Sequence, residues 1–201
     1  MSGKLVVMGM RRRARERAIQ FLYQNDLNPA LNLDEALAHF YESQKQAVIR
    51  DEGAHVFPAA DRVPSTPAPT AAPAPGAPAS SPEAKAADAA ALLNEEITAQ
   101  RFADPLIRGV LQHLDVLDVE LQKYVHNWDV RRMAAVDRNV LRLALFEMRH
   151  RDDIPPVVSI NEAVEIAKRF STQESGKFVN GILDRIKGDL MRNARVGTIT
   201  P

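Results

Sequence analysis

Apolar residues between 136 and 148 recur at helical spacing and then spread over nearly the whole circumference of the predicted helix. They occupy positions 136, 140, 141, 143, 144, 145, 146 and 148. A helix that is apolar nearly all round is buried on several sides, so this segment is predicted to be the central helix of the fold. Its polar residues then require ion pairs, hydrogen bonds or access to water; they are Asp137, Arg138, Asn139, Arg142 and Glu147.

Helical spacing of apolar residues recurs on both sides of this segment. It predicts helices over about 11–25, 33–50 and 89–103, the second of them capped by Asn32 with Glu35. Asp104-Pro105 predicts the start of another helix, and Asp115 predicts the cap of the next one. Capping boxes predict the starts of the last two helices, and they pair Ser159 with Glu162 and Ser171 with Glu174.

The predicted fold is all-α, a compact bundle of about seven helices around the central buried helix. Alternation of β-branched residues is absent apart from positions 156–158, which argues against a sheet. Gly109 and Gly181 lie inside predicted helices, where glycine costs about 1 kcal/mol relative to alanine. Both glycines are therefore expected to mark close helix packing.

Between residues 53 and 87 the composition changes sharply. Eight of the 13 prolines lie between positions 58 and 82, among alanine, serine and threonine. Such a segment cannot build a core, so it is predicted to be a disordered, Pro/Ala-rich insertion. Residues 1–52 and 88–195 then form a single helical domain, followed by a flexible tail over 196–201. The insertion is either a plain spacer or a ligand for a proline-binding partner, and the spacer is favoured.

The 201 residues carry no net charge, but the basic and acidic residues are unevenly distributed. Residues 1–25 have a net charge of +5, and residues 26–104 have −7. There is no cysteine, and no run of apolar residues is long enough to span a membrane. No metal-ligand spacing, phosphate-binding glycine loop or nucleophile elbow occurs. We therefore expect a cytoplasmic binding protein with no cofactor or metal, and not an enzyme.

Arginines crowd the start of the first predicted helix, at positions 11, 12, 13, 15 and 17. Cations at a helix N-terminus oppose the helix dipole, so their presence there indicates a functional role for these arginines. The phosphates of a nucleic acid are the ligands that they would bind. The alternative is a solvated basic surface that aids solubility. Aromatic residues beside basic ones could stack bases, namely Tyr124, Phe170 and Phe178, although the apolar periodicity places Phe178 in the core.

Four ordered stretches resemble the NusB family of bacterial transcription antitermination factors. They are 11–23 (RRRARERAIQFLY), 136–148 (VDRNVLRLALFEM), 159–168 (SINEAVEIAK) and 177–184 (KFVNGILD). The resemblance covers nearly everything except the proline-rich insertion and the extreme ends. It implies a seven-helix RNA-binding adaptor that pairs with NusE, a small-subunit ribosomal protein, on the boxA element of ribosomal RNA leaders. The wider complex would include NusA, NusG and RNA polymerase, promoting processive rRNA transcription and rRNA maturation.

The resemblance also assigns roles to individual residues. Phosphates would be held by Arg11, Arg12, Arg13 and Arg15. The base-contacting patch would contain Phe170, Glu174, Lys177 and Phe178, with Lys123 and Tyr124 nearby. The surface for NusE would contain Tyr23, Asp137 and Arg138. The resemblance thus predicts Phe178 at the RNA surface, whereas the apolar periodicity predicts it in the core.

The sequence departs from the family pattern in two places. The insertion over 53–87 is longer than is usual, and Glu174 stands where a shorter aspartate is common. Three functions stay open: a boxA-binding adaptor, an RNA-binding module like the N-terminal domain of some rRNA methyltransferases, and a helical protein–protein scaffold. A homodimer is possible for the first of these.

Overall fold

In the computed structural model, the described backbone comprises residues 2–50, 82–125 and 129–196, and side chains are described within 9–50, 89–125 and 129–192. These parts form seven α-helices and one short 3-10 helix, with no strand among them. The helices are α1 (Ser2–Leu27), α2 (Leu33–Ile49), α3 (Pro82–Gln112), α4 (Leu114–Gln122), α5 (Ala135–His150), α6 (Pro156–Phe170) and α7 (Gln173–Val196), and the 3-10 helix is Val130–Arg132. The all-α prediction is confirmed.

Helix α5 is the central helix that the apolar pattern predicts. It contacts α1, α3, α4, α6 and α7, and every residue from Val136 to Glu147 except Arg138 is buried. The core it organises includes Leu22 of α1, Ile107 of α3 and Leu183 of α7, all of which are almost completely buried. Burial of one large aliphatic side chain stabilises a fold by about 1.5–3 kcal/mol, so these packing contacts fix the bundle around α5.

Helix α1 begins at Ser2, nine residues before the predicted start at Arg11. The arginine cluster therefore lies in the body of the helix, and the prediction that it opposes the dipole at a helix start is wrong. Helix α2 begins at the predicted position, where Asn32 accepts from the backbone N–H groups of Asp34 and Glu35. Trp128 and residues 53–81 and 197–201 lie outside the described residues.

Helix α3 is continuous through Pro105, so the prediction of two separate helices here is wrong. Pro105 removes one backbone donor, but Leu106, Ile107 and Val110 directly after it are fully buried, and their burial outweighs that loss. Asp104 does not cap a helix; its carboxylate accepts from Arg108 one turn later, at 2.8 Å. Because α3 starts at Pro82, the last six residues of the predicted insertion, 82–87, lie in this helix.

Three further predicted caps are wrong. Asp115 lies in the first turn of α4, which begins at Leu114 without a side-chain cap. Ser159 lies inside α6 and donates to Glu147 in the core, at 2.7 Å. The first turn of α7 is capped by Thr172, which accepts from the backbone N–H of Ser175 at 3.0 Å, and not by Ser171.

The two helical glycines differ in their surroundings. A Cβ added at Gly109 would lie 2.0 Å from Cζ of Phe146, so α3 and α5 cross closely there, as predicted. A Cβ added at Gly181 would meet nothing within 4 Å, so the packing role predicted for Gly181 is wrong. No helix in the described part of the chain is long and apolar enough to cross a membrane.

Substitution of these glycines is expected to have opposite effects on stability. Gly109→Ala should lower the free energy of unfolding by about 1–3 kcal/mol, because the new methyl group overpacks the Phe146 ring. The control Gly181→Ala should raise it by up to about 1 kcal/mol through helix propensity alone. Urea unfolding of both variants measures the difference. Equal stability of the Gly109→Ala variant and the unsubstituted protein would contradict the close crossing.

Candidate nucleic-acid interface

Arg12 and Arg13 of α1 are held by carboxylates of neighbouring helices. Arg12 donates to both oxygens of Glu162 on α6, each at 2.9 Å. Arg13 pairs with Glu95 at 3.3 Å and with Glu96 at 3.1 Å, both on α3. Charged bidentate pairs of this kind are stronger than neutral hydrogen bonds. A phosphate that binds Arg12 or Arg13 must therefore share or displace a carboxylate.

Arg15 and Arg17 lie inside the protein. Arg15 is 3% exposed and donates to Glu147 of α5 at 2.8 Å. Arg17 donates to both oxygens of Glu96 at 2.8 and 3.0 Å. The burial of Arg15 contradicts its predicted role as a phosphate contact, because its guanidinium is enclosed between helices and already paired. The sequence does not distinguish these buried arginines from the exposed ones, because their spacing fits either a surface or an interior position.

Arg11 is the exposed member of the cluster that forms no ion pair within the described part of the chain. Its guanidinium lies over the ring of Phe102 on α3, 5.4 Å from the ring centroid. A cation–aromatic contact leaves the outward N–H groups of the guanidinium available. Arg11, Arg12 and Arg13 thus form a surface that can receive phosphate, with Arg11 the least engaged of the three.

A second group of predicted residues surrounds the start of α7. Phe178 is 37% exposed, so the core position that periodicity predicts for it is wrong. Lys177 and Glu174 are exposed and pair with each other at 2.8 Å. Phe170 is half-buried against the core, with the Arg169 guanidinium 5.0 Å from its ring centroid.

A groove of about 440 Å³ opens beside Phe178, between the first turns of α5 and α7. We name it the α5–α7 groove, and its lining residues are Arg132, Met133, Ala134, Asp137, Thr172, Glu174, Ser175 and Phe178. Sequence reasoning misses Arg132, because this residue lies on the short 3-10 helix and belongs to none of the apolar patterns.

Lys123 and Tyr124 follow the end of α4. Lys123 is exposed, whereas Tyr124 is half-buried and donates from its hydroxyl to Asp189 of α7 at 2.9 Å. Burial and this hydrogen bond raise the pKa of Tyr124 above its ordinary value. Lys123 can therefore contact a phosphate. The hydroxyl of Tyr124 instead links the end of α4 to α7.

The three residues predicted to face a protein partner have little exposed surface. Tyr23 is 5% exposed and belongs to the core, which contradicts its predicted role as a partner contact. Arg138 is mostly buried and donates to Asp26 at 2.8 Å. Asp137 is 8% exposed, and its Oδ2 accepts from the Ser175 hydroxyl at 2.9 Å.

Asp26, at the end of α1, is the centre of a polar network that sequence reasoning misses. Its carboxylate accepts from Arg138, Asn139 and Arg142 of α5. Arg142 also donates to Asp118 of α4, at 2.7 and 2.6 Å. Burial raises the pKa of Asp26, but the hydrogen bond from Arg138 and the charges of Arg142 and Arg138 outweigh it and hold this pKa below its ordinary value.

Within the described ranges, no group of three or more histidine, cysteine, aspartate or glutamate side chains is placed to hold a metal ion. The rings of His113 and His150 are tilted against each other with centroids 4.5 Å apart, and Phe146 stacks on His150 at 5.0 Å. Among the described phenylalanine, tyrosine and tryptophan residues, Phe178 is the exposed one.

A sequence model of the NusB family matches residues 78–187. The transcription antitermination protein NusB of Myxococcus xanthus is 36% identical over 179 residues, which cover 89% of this chain and 95% of that protein. The corresponding protein of Thermodesulfovibrio yellowstonii is 53% identical over 85 residues, and this match spans 56% of that protein and 42% of this chain.

Solved structures show the same fold. T. maritima NusB is 30% identical with a TM-score of 0.54, over 88% of this chain and 89% of that one. A crystal structure of the antitermination factors NusB and NusE in complex with dsRNA has a TM-score of 0.55 at 20% identity, over 89% of this chain and 96% of that one. At that lower identity the likeness concerns the fold alone.

The Asp26 network gives a pH-dependent prediction. A carboxylate with a lowered folded-state pKa stabilises the fold above its unfolded pKa, and this contribution is lost as the pH falls through the folded value. Asp26→Asn should lower the free energy of unfolding by about 3 kcal/mol near pH 7. The deficit should shrink below about pH 3.9, the ordinary aspartate pKa.

Urea unfolding at a series of pH values measures this deficit. The control is Asp152→Asn, at an exposed residue with no ion pair in the described chain, and it should leave stability nearly unchanged at every pH. A deficit for Asp26→Asn that stays constant between neutral and acid pH would contradict the assignment of the network to the ionised carboxylate.

Proposed function

This chain belongs to the NusB family, and we propose that it is a transcription antitermination factor that binds single-stranded RNA together with a NusE protein. The exposed Phe178 beside the α5–α7 groove carries this proposal. The ring exposes apolar surface to water, and an unpaired base that stacks on it would shield that surface. Lys177 directly precedes Phe178 in α7, and Arg132 lines the same groove as its ring.

The RNA backbone follows the exposed arginines of α1. Arg11 offers N–H groups with no carboxylate partner in the described chain, and the side chain of Arg12 is 46% exposed. Arg13 is the weakest of the three candidates, because its side chain is only 28% exposed and two carboxylates hold it. Each phosphate neutralised releases counterions, so binding weakens as salt rises.

The finer assignment follows the family. The RNA is the boxA element of rRNA leader transcripts, and the wider complex contains NusA, NusG and RNA polymerase in the cytoplasm. NusE contacts the edge of α5 at Asp137 and Arg138, and Lys123 and Tyr124 extend the RNA surface from α4. The described contacts of Tyr23 and Arg15 give these two residues structural roles instead.

Fluorescence anisotropy with a short boxA-like RNA, with and without NusE, tests the proposal. Binding is expected at low salt and should be strengthened by NusE. Binding to NusE without RNA would favour a protein–protein scaffold, and no binding to either would contradict the proposal.

The contribution of Arg11 is measured by the salt dependence of binding. Arg11→Ala should weaken binding and reduce the slope of log K against log salt by about 0.7, the value for one phosphate contact with a single strand. Arg50→Ala, at an exposed residue at the end of α2, is the matched control and should leave the slope unchanged. An unchanged slope for Arg11→Ala would show that this residue does not touch phosphate.

The carboxylates that hold the α1 arginines should oppose RNA binding. Glu95 is 43% exposed and pairs with Arg13, so Glu95→Gln frees one side of that guanidinium and removes a negative charge near the phosphates. RNA affinity should rise several-fold at low salt, and the gain should disappear at high salt. The control Glu42→Gln, at an exposed residue of α2, should change affinity little. An equal gain in both variants would mean that only net charge matters.

A further inference from the structure

We propose that Arg169 binds a phosphate of the RNA backbone, and that Glu16 and Phe170 are the residues that position it. This inference rests on the proposed RNA binding and adds a contact between the α1 arginines and α7. Arg169 lies in the last turn of α6, and its side chain is 62% exposed.

Two contacts hold the Arg169 guanidinium in place. Its Nη1 donates to Glu16 of α1 at 2.6 Å, and its central carbon lies 5.0 Å from the ring centroid of Phe170. The side chain of Glu16 is only 11% exposed, and Phe170 packs against the core, so neither contact is with a mobile surface group. A side chain that is already held loses less conformational freedom when a ligand binds to it.

The edge of the guanidinium formed by Nε and Nη2 distinguishes Arg169 from the paired α1 arginines. In Arg12 and Arg17, both of these nitrogens donate to a carboxylate. This planar edge is the one that matches two oxygens of a phosphate. In Arg169, Glu16 takes Nη1, and the other two nitrogens have no partner among the described residues. A phosphate can therefore bind Arg169 at two points without displacing Glu16.

The position of Arg169 connects the two parts of the proposed RNA surface. Arg12 and Glu16 are one turn apart, about 6 Å along α1, and they pair with Glu162 and Arg169 of α6. Helices α1 and α6 therefore run side by side in the same direction, with Arg169 further along their interface than Arg12. Helix α7 begins at Gln173, directly after α6. An RNA strand that extends from the α1 arginines to α7 thus passes Arg169.

The exposed charge along this interface is positive. The side chains of Arg12 and Arg169 are 46% and 62% exposed, whereas their partners Glu162 and Glu16 are 12% and 11% exposed. The carboxylates lie beneath the guanidinium groups, so an approaching phosphate meets the cations first. Continuity with the α1 arginines favours the RNA backbone over an acidic segment of a protein partner as the ligand.

The salt dependence of RNA binding tests the phosphate contact. Arg169→Ala should weaken binding of a short boxA-like RNA and reduce the slope of log K against log salt by about 0.7, because one phosphate contact is lost. The matched control is Arg149→Ala. Arg149 is also exposed in the last turn of a helix, α5, and pairs with Glu120 of α4. This control removes a similar interhelical ion pair and should leave the slope unchanged.

A double-mutant cycle tests whether Phe170 acts through Arg169. Phe170→Leu keeps apolar packing but removes the ring under the guanidinium, and it should lower RNA affinity several-fold. In the Arg169→Ala background the same substitution should change affinity by less than about twofold, the limit for independent sites. An equal loss in both backgrounds would show that Phe170 contacts RNA by itself, which would overturn its positioning role.

Two substitutions of Glu16 test the second contact. Glu16→Gln and Glu16→Ala both remove the negative charge, but glutamine can still accept from Arg169. RNA affinity should be several-fold higher for the glutamine variant, and this difference should disappear in the Arg169→Ala background. Thermal unfolding shows which variants are folded at the assay temperature. If Glu16→Ala does not fold, the Phe170 cycle and the salt slope still decide the proposal.

The outcomes separate this contact from the proposed function. Normal RNA binding with equal slopes for Arg169→Ala and Arg149→Ala would overturn the phosphate contact and leave RNA binding intact. Weaker binding of NusE by Arg169→Ala, with unchanged RNA affinity, would assign Arg169 to the protein partner and overturn it as well. Absence of all RNA binding by the unsubstituted protein would overturn the proposed function and this contact together.

Discussion

The buried ion pair between Arg15 and Glu147 is the interaction on which the arrangement of helices most depends. It joins α1 to the central helix, and the Ser159 hydroxyl of α6 donates to the same carboxylate. Removing one partner of such a pair leaves an uncompensated buried charge and costs about 3–5 kcal/mol. Glu96 of α3 repeats this arrangement with Arg17. The relative positions of α1, α3, α5 and α6 are thus specified by charge as well as by apolar packing.

This constraint divides the arginine cluster into two functional groups. The arginines at positions 15 and 17 point inward and hold the bundle together, and Arg11 and Arg12 on the same helix remain at the surface. Glu162 and Glu95 then moderate the surface group, so the α1 surface is basic but already partly neutralised. Arg132 beside the α5–α7 groove forms no ion pair within the described ranges. Asp137, in the same groove, is a carboxylate whose pKa burial raises above the ordinary value. The hydrogen bonds from Ser175 and Ser171 lower this pKa and only partly offset the effect of burial.

Apolar periodicity predicted α5 within two residues at each end, because a helix buried on several sides leaves a dense pattern. Local rules failed where tertiary burial opposed them. Pro105 did not end α3, because the residues that follow it are buried in the core. Ser159 did not cap α6, because its hydroxyl donates to Glu147 of α5. The same limit explains Arg15 and Tyr23: a residue type and its spacing do not reveal whether a neighbouring helix covers it. Resemblance to the family correctly moved Phe178 to the surface, against its periodicity.

The central claim is that RNA lies across the exposed part of α1 and the Phe178 side of α7. Ultraviolet crosslinking of the full chain to a boxA-like RNA, followed by mass spectrometry of the crosslinked peptides, tests it most directly. Crosslinks are expected at Phe178 and its neighbours in α7, with protection of Arg11 and Arg12 from modification by an arginine-selective reagent. Crosslinks confined to α2, with Phe178 unmodified and the arginines unprotected, would contradict it.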